Sequence, residues 1–248
     1  MRGRMWLWMA VIGLVAGAAS AGPSEETTRR LEMALRSLDK DTFVGSYRIE
    51  THAVVSKPDG SSREDTLEVM KVSSAPGGEP EMEIVRATRN GQDITAQRRD
   101  EQVKSRAKEA KEKPRKAEDK EGGTFSATLR LPIGKDLGLF EFGASRQEGG
   151  TQVVSFAPRA SARDEDNITQ GTLAWDTATG DPLWLEARYV DPPTGIKELA
   201  MRFELVRQGD ILFLRRTTTQ GVGGMLWIKR KFDLEMVISD LQPGSPAS

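Results

Sequence analysis

The chain has 248 residues, no cysteine, one histidine and a near balance of 36 basic against 37 acidic side chains. That composition excludes a disulfide framework and a cysteine-linked lipid anchor, and it offers no basic excess of the kind that attracts nucleic acid. The length suits one all-β domain with a large core, since sandwiches and barrels run to roughly 250 residues as single units.

Residues 1–21 read as an export signal. Arg2 and Arg4 make a basic n-region, an apolar run extends from Met5 to Val15, and Ala19-Ser20-Ala21 presents a signal-peptidase site. The apolar run falls short of the about 20 residues that cross a bilayer. Cleavage near Ala21 is therefore expected, leaving a periplasmic domain over 22–248 with no transmembrane span. Loss of Arg2 and Arg4 moves the net charge from −1 to −3.

From Ser24 the pattern is helical: a capping serine, acids in the first turn, then Leu31, Leu35 and Leu38 along one stripe. A helix this short is marginal by itself in water and must dock on an apolar surface. Alternation begins at Asp41, with Phe43, Tyr47, Ile49, Ala53 and Val55 on one side and Arg48, Glu50 and His52 on the other. Pro58-Asp59-Gly60 turns the chain into a strand over Thr66–Val72. Its apolar phase slips between Val69 and Met70, which predicts a bulge. Glu81–Arg89 forms a third arm, closed by the hairpin dipeptide Asn90-Gly91.

Arg98–Glu121 differs in character, with Val103 and three alanines as its apolar content. So little apolar area does not offset the cost of ordering a core element, so a solvated helix broken near Pro114, or a disordered excursion, is expected. Its excess of basic residues makes it a candidate contact for an envelope protein or an anionic lipid. Strands then resume at Phe125–Leu131, Leu139–Gly143 and Val153–Ala157, with a turn at Glu148-Gly149-Gly150 and a polar loop over Arg159–Asn167.

The clearest hairpin joins Gly171–Trp175 to Leu183–Tyr189 through Asp176–Gly180, with Leu173 and Trp175 on one face and Leu183, Leu185, Ala187 and Tyr189 on the matching one. Leu199, Met201, Phe203 and Leu205 follow, then a turn at Gln208-Gly209-Asp210, a strand from Ile211, and a last arm carrying Phe232, Leu234, Met236 and Ile238. Gly221, Gly223 and Gly224 are placed to let a long strand bend. About nine to eleven strands exceed what a flat sheet holds and predict strong curvature.

The catalytic inventory is thin. His52 lies among solvated polar residues, Asp164-Glu165-Asp166 lacks ligand spacing, and Ser46 has no nucleophile elbow. The glycines from Gly221 to Gly224 lack the Lys-Ser/Thr of a phosphate loop. No catalytic residue, metal ligand or cofactor is assigned, and the chain is expected not to be an enzyme.

The helix, the long meander, Gly171-Thr-Leu-Ala-Trp-Asp176-Thr-Ala-Thr-Gly180 and the closing Phe232–Asp240 strand together resemble the periplasmic lipoprotein-sorting proteins of the LolA/LolB kind. The resemblance implies a mainly β fold: a single highly curved antiparallel sheet, an incomplete barrel, with the N-terminal amphipathic helix packed on its concave face. It implies non-catalytic carriage of hydrophobic ligands, such as lipid or lipoprotein acyl chains. The candidate cavity is Phe43, Tyr47, Ile49, Leu173, Trp175, Leu183, Leu185, Met201, Phe203, Phe232, Leu234 and Met236. The charged 98–121 segment stands outside the family pattern, and no residue is matched to the family's lid-locking arginine. The alternative is an envelope interaction or sensor scaffold on the same half-barrel, without lipid transport.

Overall fold

A computed structural model describes residues 22–38, 43–75, 78–112, 129–225 and 228–244. The expected leader, the 113–121 part of the charged segment, Phe125, Ala127 and Trp227 lie outside the described residues.

Helix α1 spans Glu25–Leu35, capped by Ser24, whose hydroxyl accepts from the Thr27 amide at 3.0 Å. Strands β1 (Gly45–Ser56), β2 (Glu64–Ser74), β3 (Glu81–Arg89) and the short β4 (Gln92–Asp93) precede helix α2 (Thr95–Glu112). Strands β5 (Phe140–Glu148), β6 (Thr151–Pro158), β7 (Thr169–Asp176), β8 (Pro182–Tyr189), β9 (Ile196–Gln208), β10 (Ile211–Met225) and β11 (Ile228–Pro243) complete the chain. All belong to one antiparallel sheet in the order β4-β3-β2-β1-β11-β10-β9-β8-β7-β6-β5, open at both edges. The second half of the chain is a meander of consecutive hairpins, and the last strand returns to lie beside the first.

Turn chemistry sets the registers. Asn90 and Gly91 both take positive φ, at 51° and 79°, as the two-residue loop between β3 and β4 requires. Gly180 at φ 72° closes the β7–β8 hairpin where the sequence places it, and Leu183 is an extra residue there because Trp175 pairs with Pro182 while Ala174 pairs with Trp184.

Three expectations are corrected. The slip in β2 is absorbed on its neighbour: Val69 pairs with Arg86 and Met70 with Ile84, which leaves Val85 of β3 as the bulged residue. The extra residue leaves the alternation of β2 unchanged, so Val69, opposite Glu50, and Val72, opposite Tyr47, lie on opposite faces, and both are buried. The strand expected up to Leu131 has, at its described end, only an isolated parallel bridge from Arg130 to Ile168. Leu129 and Leu131 are buried there by side-chain packing without a ladder.

The charged segment is helical already at Thr95, because the Thr95 hydroxyl bonds both the amide (2.9 Å) and the carbonyl (3.3 Å) of Ala87 and so ties the helix start to β3. The helix lies along β3 through polar side chains. Arg99 donates to the Ile84 carbonyl at 2.8 Å, Arg106 to the Met82 carbonyl at 2.8 Å, and Arg98 pairs with Glu68 at 2.9 Å. Free carbonyls of an edge strand are thereby satisfied.

The main core gathers Leu31, Ala34 and Leu35 of α1 with Phe140, Phe156, Leu173, Leu185, Met201, Phe203 and Leu205 of the sheet. A second cluster joins Phe43, Phe213, Ile238 and Leu241, with Leu38 packed against it from beyond the end of α1.

Candidate functional site

The ladders place the predicted cavity residues together. One row runs across seven strands as Val154, Leu173, Leu185, Phe203, Thr217, Met236 and Thr51. The adjoining row on the same face includes Ala187, Met201, Thr219, Leu234 and Ala53. Phe232 opposes Val55, and Ile49 lies between Met70 and Ile238. Side chains alternate across a pleated sheet, so these residues all face the same way.

They differ in what covers them. Leu173 and Leu185 are 0% exposed, as is Leu31 of α1, and Met201 and Phe203 are buried in the same cluster. Trp175 packs against that cluster, while Phe43, Tyr47, Ile49 and Met236 join the second one, so between these residues side chains fill the space. Leu183, Phe232 and Leu234 are half-buried. Toward the two ends of β1 the surface opens: Val55 at one is 37% exposed, and Met82, in the row of Tyr47 at the other, is 43% exposed.

Sequence reasoning missed the polar groups on this face. Thr217 sits between Phe203 and Met236, and Thr219 between Met201 and Leu234. Both side chains are buried, and neither hydroxyl has a hydrogen-bond partner. A buried hydroxyl without a partner costs about 1–3 kcal/mol. Within a β-branched, alternating strand, threonine at these positions is indistinguishable from valine by pattern.

A second missed group is Asp181, just beyond the predicted turn. Its carboxylate accepts from Arg30 of α1 at 2.8 Å and from Arg207 of β9 at 2.6 and 2.7 Å. Hydrogen bonds from Arg207 and then Arg30 outweigh its partial burial and hold its carboxyl below the ordinary carboxylate value.

The opposite face carries an open trough of about 820 Å³ across β5 to β10. One wall is the row Ser155, Thr172, Glu186, Arg202 and Thr218. The other is formed by Glu141, Ala157, Gln170, Arg188, Ala200 and Gln220. Between them runs the backbone of Phe156, Gly171, Ala187 and Met201, whose Cβ directions belong to the apolar face. Of the twelve predicted cavity residues, only Met201 borders this trough. A hollow of this size therefore lies on the hydrophilic side, which alternation alone marks as merely solvated.

His52 contacts the Asp65 carboxylate at 2.9 Å and remains 42% exposed, as its place on the polar face predicts. Among the described residues no three His, Asp or Glu side chains gather as a metal site, and no helix is long and apolar enough to cross a membrane. Comparison of the chain with protein-family models and with curated proteins yields no match.

Proposed function

We propose that the protein is a non-catalytic periplasmic carrier of acyl-chain ligands, with α1 as a lid over the apolar face of an incomplete barrel. The observation that carries this reading is the pair of buried, unpartnered hydroxyls of Thr217 and Thr219 among Met201, Phe203, Leu234 and Met236. Hydroxyls so placed suit a ligand that is apolar along its length and carries an acceptor, as an ester- or amide-linked acyl chain does. Strand β10, which bears both threonines, is also the strand against which α1 lies. Displacing α1 would present the hydroxyls to a guest.

The dimensions agree. Helix α1 has 11 residues, about 16 Å at 1.5 Å per residue. Eleven strands span roughly 48 Å at 4.8 Å per step. The helix covers a fraction of the face, and the partly exposed Val55, Phe232 and Leu234 lie beyond the cluster it joins.

Native mass spectrometry of protein purified without detergent, before and after delipidation, tests this. Bound lipid that delipidation removes, and saturable uptake of a fluorescent fatty-acid ester afterwards, are expected. Absence of both overturns the reading. The close packing of Leu31 with Leu173 and Leu185 favours a second reading, an envelope interaction scaffold. That reading expects deletion of 98–121 to abolish partner capture while lipid uptake stays absent throughout.

A further inference from the structure

We propose that the trough on the hydrophilic face is a second, separate binding site, for an anionic oligosaccharide. It stands independently of the acyl-chain reading, because the two sites face opposite sides of the sheet.

The two walls are built differently. On one, Glu186 bonds both Thr172 and Arg202, Arg202 also bonds Glu204 at 3.0 Å, and its guanidinium lies 4.6 Å from the Trp184 ring centroid. These groups hold and orient one another, one guanidinium between two carboxylates, so this wall is rigid and costs little to order on binding. On the other, Glu141, Gln170, Arg188 and Gln220 have no side-chain hydrogen-bond or ion-pair partner among the described residues. Carboxamides, hydroxyls and carboxylates offer donors and acceptors in alternation, which is the pattern that sugar hydroxyls answer, each being both donor and acceptor.

Arg188 favours an anionic group. The charged lining is balanced, Glu141 and Glu186 against Arg188 and Arg202, but Arg202 is already paired, whereas Arg188 has no partner among the described residues, and its neighbours in register are the neutral Gln170 and Ala200. Glu141 stands three strands away, about 14 Å at the spacing of neighbouring strands. The free guanidinium is thus placed to hold a carboxylate or phosphate on the chain, in a bidentate geometry that Lys would not give.

Shape argues against a peptide. Strands β6 to β9 are paired on both sides, so strand addition is confined to the outer edge of β5 and the floor of the trough offers no backbone edge. The floor offers backbone and Gly171, and the walls include Ala157 and Ala200; it has none of the separate apolar pockets that read alternate peptide side chains. The trough runs from β5 to β10, about 24 Å at the spacing of neighbouring strands, which suits a linear chain better than one small molecule.

An array of acidic and neutral oligosaccharides, with acidic peptides alongside, tests this with the full mature chain. Salt-sensitive retention of glycans bearing uronate or sugar phosphate is expected, and which of the two is retained identifies the anion. Calorimetry with the best-retained glycan should show at least a tenfold loss for Arg188→Gln. Ala200→Trp, which fills the trough from a solvent-facing position, should abolish binding with unchanged circular dichroism and unchanged fatty-acid uptake. Retention of peptides only, equal retention of neutral glycans, no glycan retained, or full affinity in either variant would overturn the proposal.

Discussion

Arg30 of α1 donates to the Asp181 carboxylate at 2.8 Å across 151 positions of sequence, and the same carboxylate holds Arg207 of β9. Arg30 also donates to the Thr179 carbonyl at 2.6 Å, so the tip of the β7–β8 hairpin grips the helix by two acceptors. The Asp181 side chain is 9% exposed, while its partners are 31% and 41% exposed. One nearly buried acid therefore organises two half-solvated bases.

Asp181→Asn keeps the shape and removes the charge. Charge-assisted hydrogen bonds contribute about 1.5–3 kcal/mol each when fully shielded, and screening of the exposed arginines lowers the net loss to about 1–3 kcal/mol. Denaturant melts should show a lower midpoint at unchanged slope. The sign with pH follows from the depressed folded-state value of Asp181. The unfolded carboxyl titrates near pH 3.9, so below that the unfolded chain binds more protons. The contribution is present above about pH 4 and is lost as pH falls through the folded value. Wild type and Asp181→Asn should thus converge in acid; parallel curves would count against the ion pair as the source.

Thr217→Val and Thr219→Val test the buried hydroxyls without the ligand. Each replaces an unpartnered hydroxyl with a methyl of similar size on the apolar face. Delipidated protein should become more stable by about 1–3 kcal/mol per site, an unusual direction for a core substitution. Affinity for a fatty-acid ester should fall at the same time. Loss of stability in both variants would mean that the hydroxyls already have partners in the free protein.

The sheet was legible because its signals are local. Alternation at Phe232–Ile238, the Asn90-Gly91 dipeptide and the Gly180 turn each act over a few residues, and the ladders follow them. The side chosen to absorb the β2 slip was not legible, since the apolar residues Val69 and Val72 suggest a bulge on β2 itself, whereas β2 stays regular and buries them on opposite faces. The start of α2 depended on Thr95 reaching Ala87, a contact between elements that no helical pattern encodes. The sites were less legible than the fold. Apolar stripes mark Leu173 and Phe203 as facing inward but cannot say whether α1 fills the space before them, and the trough depends on the pairing that sets the Glu186 and Arg188 rows on either side of a common hollow.

Gly171→Ala probes the β7–β8 pairing at the floor of that hollow. A Cβ at Gly171 would run into the backbone carbonyl of Glu186 and lie 3.1 Å from the Ala187 Cα. The neighbour is backbone, so relief requires the β7–β8 pair to separate. Overpacking of this kind costs typically about 1–3 kcal/mol. The midpoint of thermal unfolding should fall, and Gly149→Ala, where nothing lies within 4 Å of the added atom, serves as comparison. Its φ of 60° adds local strain of its own, so Gly171→Ala must exceed it in cost for the clash to be the cause.

Helix α2 guards an edge. Strand β4 pairs only with Thr88 and Arg89, and the outer side of β3 from Met82 to Ala87 is met instead by Arg106, Gln102, Arg99 and Thr95. Exposed hydrophobics Met82 and Val85 lie on the same stretch. An uncovered edge with apolar neighbours is a template for pairing with another copy. Arg99→Ala with Arg106→Ala should leave stability within about 0.5 kcal/mol, as for most solvated side chains, yet light scattering at elevated protein concentration should rise faster than in wild type. Restoring the donors as Arg99→Gln with Arg106→Gln separates the two explanations for such a rise. If the carbonyls of Ile84 and Met82 need a donor, glutamine recovers part of the protection; if net charge alone keeps copies apart, glutamine aggregates like alanine.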